Sequence, residues 1–254
     1  MSVRLRVLGA SGGIGGARRT ICLQLGENAL IDAGTGAGTL ELDEIIGLEH
    51  VFLTHSHLDH IALLPLLADA AVNFRATGLT VHALAETWQT LRQSVFNGLV
   101  WPDYTCLPSA DAPYIRYAPI EPGKTVALGE LQLLPLPAAH SVAATAYAVI
   151  GQQASLAYSA DSTWCPAFWH ALGSIPRLRY VLVECTFRDE QQAAASRSGH
   201  MTPRMLKTAL ATVPADVEVS VLHMEPGMEG RTMMQLSRQG LVLKQVREGD
   251  EYLL

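Results

Sequence analysis

The sequence is poor in cysteine, and Cys22, Cys106, Cys165 and Cys185 are widely spaced with no Cys-x-x-Cys pair among them. That pattern argues against a thiolate zinc site and against a disulfide framework, so four buried free thiols are expected. Long apolar runs are also missing. The longest, Ile61 to Val72, is broken by Pro65 and Asp69 and falls short of the roughly 20 residues a membrane helix needs. Met1 to Gly9 lacks the basic start, long apolar core and cleavage site of a secretory leader. The expectation is a cytoplasmic protein with no membrane partner. Positive charge is scarce too: 18 Lys and Arg against 24 Asp and Glu leave a net charge of −6, which weighs against the basic face that broad nucleic-acid binding requires. Repeats, low-complexity tracts and long linkers are absent from the 254 residues. A single domain over 1–254 follows, and a hydrophobic content of 49% is ample for its core.

What the chain does have is histidine in one place. Thr54-His55-Ser56-His57-Leu58-Asp59-His60 puts three imidazoles and a carboxylate directly after the apolar stretch Val51 to Leu53. The spacing predicts a loop between a strand and a helix. On a regular helix or strand, residues two apart point away from each other, so His55 and His57 converge only where the backbone turns. Imidazole suits zinc, iron or manganese, and Asp59 adds a hard oxygen ligand with negative charge.

Strand-like runs cover Val3 to Leu8, Thr20 to Leu25, Ala29 to Asp32, Val51 to Thr54, Thr80 to His82, Leu131 to Leu136, Ala146 to Ile150, Ser155 to Ser159, Tyr180 to Glu184 and Val217 to His223. Helical patterns lie at Leu58 to Arg75, Leu84 to Gly98, Trp164 to Leu172, Pro203 to Thr212 and Glu229 to Gln239. In the helix at 203, Thr202 is expected to cap, Pro203 occupies the first turn, and Met205, Leu206, Ala209, Leu210 and Val213 repeat at helical spacing. This interleaving indicates a layered α/β domain. Gly9 to Gly16 follows a strand and imitates a dinucleotide-binding turn, but Thr20 to Leu25 reads as a strand where phosphate binding needs a helix N-terminus. These glycines are expected to let the backbone turn tightly beside a pocket. Single polar residues recur at strand ends: Asp32, His140, Asp161 and His223. His50, His82 and His170 keep no such company and read as surface or ordinary structural residues.

Asp32 in Ile-Asp-Ala-Gly, the His55-x-His57-x-Asp59-His60 core, His140, Asp161 and His223 occur in the order found in the metallo-β-lactamase superfamily, which the chain resembles over essentially its whole length. The resemblance implies an αββα four-layer sandwich with two mixed β-sheets and a binuclear site at one edge. It assigns His55, His57 and His140 to one metal, Asp59, His60 and His223 to the other, and Asp161 to both. The metals implied are two divalent ions, zinc first, with manganese or iron as alternatives. Five imidazoles and two carboxylates suffice for such a pair if one carboxylate bridges, and Asp32 then either orients ligands or caps a turn.

Val183-Glu184-Cys185-Thr186-Phe187 and Gly199-His200-Met201-Thr202-Pro203 are similar to the Glu and His motifs of the phosphodiesterase branch, which holds the tRNA 3′-processing ribonucleases and the class II cyclic-nucleotide phosphodiesterases. They imply that Glu184 supports His200 in giving a proton to a leaving alkoxide; the plainer alternative is that the two fasten the loop between them. Leu8-Gly9, Ser11 to Gly13, and Ser94 to Thr105 with its Trp101-Pro102-Asp103 resemble class II enzymes. In a helical substrate-side segment at about 84–108, Phe96 and Trp101 offer faces for a purine, and Asn97 and Asp103 offer polar recognition; core packing is the alternative for the aromatics. The resulting expectation is an enzyme that hydrolyses 3′,5′-cyclic nucleotides to 5′-monophosphates, with Asp59, Glu184 and His200 as catalytic groups. Its partner is a small anionic phosphodiester, with tRNA less favoured for want of a basic arm, and a homodimer is compatible with the chain. Ala62-Leu63-Leu64-Pro65 after His60 departs from the small Ser-Gly pair usual in class II members and puts the substrate in question. Alternatives are a ribonuclease-Z-like or other phosphodiesterase and, in another class, a di-iron redox or binding module.

Overall fold

The computed structural model describes residues 3–74 and 77–254. In the first half of the chain, strands β1 (Arg4–Gly9), β2 (Cys22–Leu25), β3 (Ala29–Ile31), β4 (His50–Phe52), β5 (Leu79–Ala83) and β6 (Ile115–Pro119) form one sheet, whose outer edge beside β1 is completed by the C-terminal β14 (Glu251–Leu253). In the second, β7 (Val126–Leu128), β8 (Leu131–Pro137), β9 (Thr145–Ile150), β10 (Ser155–Tyr158), β11 (Leu178–Glu184), β12 (Glu218–Leu222) and β13 (Lys244–Gln245) form the other. Both sheets have seven strands and are mixed in the same way: pairing is antiparallel up to β3 in one and β10 in the other, and parallel beyond.

Side-chain alternation sets the layers. Leu23, Leu25, Phe52, Leu156, Tyr158 and Leu182 point between the sheets into one shared core. Their neighbours Cys22, Val51, Ala157, Val181 and Val183 face outward. There they meet helices: α3 (Leu64–Val72) and α4 (Ala85–Ser94) over the first sheet, and α5 (Pro166–Leu172), α7 (Pro203–Leu210) and α8 (Glu229–Arg238) over the second, with α1 (Leu42–Gly47) and α6 (Gln192–Ser198) in the connections. The result is the expected sandwich of two mixed sheets flanked by helices. No helix among the described residues is long and apolar enough to cross a membrane.

Several local expectations are corrected. The helix read as Leu58 to Arg75 is two, α2 (Leu58–Ile61) and α3, because Pro65 in the first turn of α3 starts a new helix instead of continuing the old one; its expected end at Arg75 lies outside the described residues. The segment at 84–108 is helical only over α4 and then becomes a looped run of turns, which Gly98 (φ +76°) and Pro102 favour. Thr202 holds the N-cap position of α7 as expected, but its buried side chain makes no capping hydrogen bond and instead donates its hydroxyl to Gln192 Oε1 at 3.2 Å. Cys106 is exposed, with its thiol on the Asp103 carbonyl, while the other three cysteines are buried. His82, by contrast, is an ordinary structural residue as expected: it is buried, stacked on Phe52 at 4.1 Å and paired with His50, and burial lowers its pKa to about 4.

Candidate metal centre

Every residue singled out by its strand-end position lies at one edge of the sandwich, where β3, β4, β8, β10, β11 and β12 run out. His55 and His57 occupy the loop after β4, while Asp59 and His60 sit in the first turn of α2. The Thr54 carbonyl accepts from Thr145 N at the start of β9, and the Leu53 carbonyl from the Tyr147 hydroxyl, so this loop is fastened to the opposite sheet. Gly34 of the Ile-Asp-Ala-Gly segment lies directly beneath Asp59: a Cβ there would stand 2.2 Å from the Asp59 carbonyl oxygen. Gly12 packs in the same way: a Cβ there would stand 2.9 Å from the His223 carbonyl oxygen and 3.1 Å from its Nδ1. The glycine-rich turn therefore serves close approach to the site, and a strand follows it. Asp32, Ala160 and His223 hold positive φ angles of 58°, 53° and 59°. For side-chain-bearing residues this conformation carries strain, and here it is concentrated where the site is built.

The seven residues assemble into two groups. His55, His57, His140 and Asp161 bring one ligand atom each within 4.8 Å of one another, and so do Asp59, His60, Asp161 and His223. Asp161 belongs to both. Its Oδ2 lies 3.7 Å from His55 Nε2, 3.3 Å from His60 Nε2 and 3.4 Å from His223 Nε2. Buried His55 Nε2, His60 Nε2 and Asp161 Oδ1 have no hydrogen-bond partner among the described residues. An unsatisfied buried polar atom costs about 1–3 kcal/mol. Orphans that converge on one carboxylate fit divalent cations, which would satisfy them together. His57 Nδ1 and His140 Nε2 stand 3.0 Å apart, near the separation of about 3.3 Å that two imidazoles on one tetrahedral ion take.

Each ring is oriented from behind. His140 Nδ1 donates to the Gly199 carbonyl at 3.0 Å and His60 Nδ1 to Asp32 Oδ2 at 2.7 Å, leaving Nε2 of both turned inward. Asp32 also accepts the Thr54 backbone N–H and hydroxyl, both at 2.8 Å, and Thr54 Oγ1 meets His55 Nδ1 at 3.0 Å. On the other sheet, buried Glu184 takes His200 Nδ1 (2.9 Å) and Ser162 N on one oxygen, and Thr186 N and Oγ1 on the other. Thr186 Oγ1 in turn receives His223 Nδ1 at 2.9 Å. Asp32, Glu184 and His200 are thus attached to the groups without belonging to either. Thr54, Thr186 and Gly199 are orienting groups that the sequence does not mark; their only signal is a position within two residues of His55, Glu184 and His200.

Charge is divided unevenly. Burial holds His55, His57 and His140 below the ordinary imidazole range. His60 goes the other way: burial opposes its charge, but Asp161 and Asp32 outweigh that and raise it well. Burial likewise opposes the charge of Asp59, yet its bond to His223 and the nearby His60 bring its pKa to about 2. His200 is raised against burial chiefly by Glu184.

The segment after α4 has other duties. Asn97 accepts the N–H groups of Leu99 and Val100 and donates to the Gln93 carbonyl; Asp103 caps Thr105. Trp101 is half-buried against the outer core of the first sheet, and Phe96 is fully buried there, so the face that Phe96 offered to a purine is spent on packing.

Among curated proteins no sequence matches this chain. Solved structures do: yeast PDE1 in its unliganded form (17% identity, TM-score 0.80, all of both chains covered) and the metallo-beta-lactamase fold protein YhfI of Bacillus subtilis (17%, 0.77, 100% and 99%). The short form of human tRNase Z is also similar (15%, 0.65, 98% of each chain). At such identities the likeness shows the fold. The family is shown by sequence: a beta-lactamase superfamily domain matches residues 27–224, well over half of the chain, and the protein belongs to that superfamily.

Proposed function

We propose that this protein is a metal-dependent phosphodiester hydrolase that opens 3′,5′-cyclic nucleotides to 5′-monophosphates. The observation that carries the hydrolytic reading is His200: a half-buried imidazole attached to the candidate metal centre through Glu184, stacked 5.5 Å from His223, and a member of neither ligand group. A redox module has no use for such a group, whereas a phosphodiesterase needs a proton for the departing oxygen.

His55, His57, His140 and Asp161 would hold one divalent ion, and Asp59, His60, His223 and the shared Asp161 the other, with zinc the first expectation for this donor set. Such a pair, when bound, supplies Lewis acidity and brings the pKa of water from 15.7 to about 7. Asp59, with a pKa of about 2, stays ionised at neutral pH. His200 keeps its proton at Nε2 while Nδ1 donates to Glu184, and delivers the Nε2 proton to the leaving 3′-oxygen. The cyclic-nucleotide substrate rests on the likeness of the Leu8-Gly9 opening and the Trp101-Pro102-Asp103 segment to class II enzymes. Full-length correspondence with the fold of yeast PDE1 is consistent with it.

Incubation of metal-replete protein with cyclic AMP, cyclic GMP, an aryl phosphodiester and a precursor tRNA tests this reading. Release of a 5′-nucleoside monophosphate is expected. Turnover of the aryl ester alone would remove the cyclic-nucleotide substrate, and trimming of the precursor tRNA alone would favour a ribonuclease-Z-like activity.

A further inference from the structure

We propose that Thr186 is a positioning residue that joins the second ligand group to His200, so that one metal and the proton donor are held as a unit. The inference rests on the two-metal reading of the site. A hydroxyl has one proton and two lone pairs. The Glu184 carboxylate can only accept, so the Thr186 proton goes to Glu184 Oε2 at 2.8 Å. The lone pairs then face two imidazole nitrogens, His223 Nδ1 at 2.9 Å and His200 Nδ1 at 3.2 Å. His223 must therefore carry its proton on Nδ1, which leaves Nε2 bare toward Asp59 Oδ2 (3.2 Å) and Asp161 Oδ2 (3.4 Å).

His200 divides its own Nδ1–H between Thr186 and the nearer Glu184 Oε1 at 2.9 Å, which fixes the plane of the ring. Ser162 N donates to that same oxygen, binding the loop that carries Asp161 to the carboxylate. Thr186 itself is buried, and its backbone is pinned at both polar groups: N to Glu184 and O to Glu225 N. The hydroxyl has no rotational freedom left, so its direction dictates the tautomer of His223. Without it, the hydrogen bond that holds the His223 proton on Nδ1 is lost and neither tautomer is imposed.

The test uses metal-free full-length protein titrated with Zn²⁺ by calorimetry, with long-range ¹⁵N spectra of the imidazoles recorded alongside. Wild-type protein is expected to bind two ions and to show His223 as a single Nδ1–H tautomer. Thr186→Val keeps the shape and removes the hydroxyl. Affinity of one site should fall by about 10–100-fold, the range for loss of an orienting partner, with the other site unchanged and His223 a mixture of tautomers. Thr186→Ser should restore both, and if Thr186→Val does not fold, Thr186→Ala against Thr186→Ser makes the same comparison. Two unaltered sites and an unaltered His223 tautomer in the valine or alanine variant would overturn the role of Thr186. Fewer than two ions on wild-type protein would instead overturn the two-metal reading on which it rests.

Discussion

The two sheets end in similar devices that are put to different use. In the first sheet a fully buried carboxylate, Asp32, is bonded by the backbone N–H and the hydroxyl of Thr54, and the pair supports His60 and His55. In the second, equally buried Glu184 is bonded by the backbone N–H and the hydroxyl of Thr186, and the pair supports His200 and His223. His55 and His60 fall into different candidate ligand groups, so the Asp32 pair supports a ring in each. Of the rings behind Glu184, His223 belongs to a ligand group and His200 to none. The same construction yields a purely structural support in one sheet. In the other it leaves an imidazole free for chemistry.

The comparison is broken most completely at Asp161, which both groups share. Asp161→Ala should remove both ions, a larger effect than the 10–100-fold expected for an orienting residue, and elemental analysis of the purified variant reads it directly. Two retained ions would show that the groups do not depend on a common bridge. His200→Ala should do the opposite, leaving metal content intact while kcat on esters with poor leaving groups falls about 10²–10⁴-fold.

Two isosteric changes sharpen the contrast further. Asp32→Asn should weaken both ions by about 10–100-fold, because its support reaches a ring in each group, whereas Glu184→Gln should weaken one ion and slow turnover as well. Paired metal titrations and kinetics of the two variants distinguish these patterns.

Much of this site could be seen in the sequence because its candidate ligands sit where an apolar run stops. His55, Asp161 and His223 each follow a buried strand, and the strands themselves show through alternation or unbroken apolar stretches. What stayed hidden depends on tertiary placement. The edge strands β6, β7, β13 and β14 have two to five residues each and owe their extension to a neighbouring strand. Thr186 is an unremarkable threonine until the fold brings His223, 37 residues away in sequence, onto its hydroxyl. Asn97 and Asp103 carry a second duty that the sequence does not show: each hydrogen-bonds backbone N–H groups of its own loop.

The smallest effect concerns pH. Glu184 favours the protonated form of His200 and raises its pKa above the ordinary 6.5. With His200 as the proposed proton donor, turnover of poor leaving groups should decline as pH rises through that raised value. Replacing Glu184 by Gln should move the decline to lower pH, by an amount that pH profiles of kcat measure, while Asp32→Asn should leave its position nearly unchanged.

The division of labour between the two devices is tested most directly by the dependence of kcat on leaving-group pKa, measured over a series of phosphodiesters for wild-type protein and His200→Ala at equal metal content. A shallow dependence for wild-type protein and a steep one for the variant, converging at the most activated esters, is the expected result. Parallel dependences, with every ester slowed by the same factor, would contradict proton delivery by His200 and reduce the second device to a support like the first.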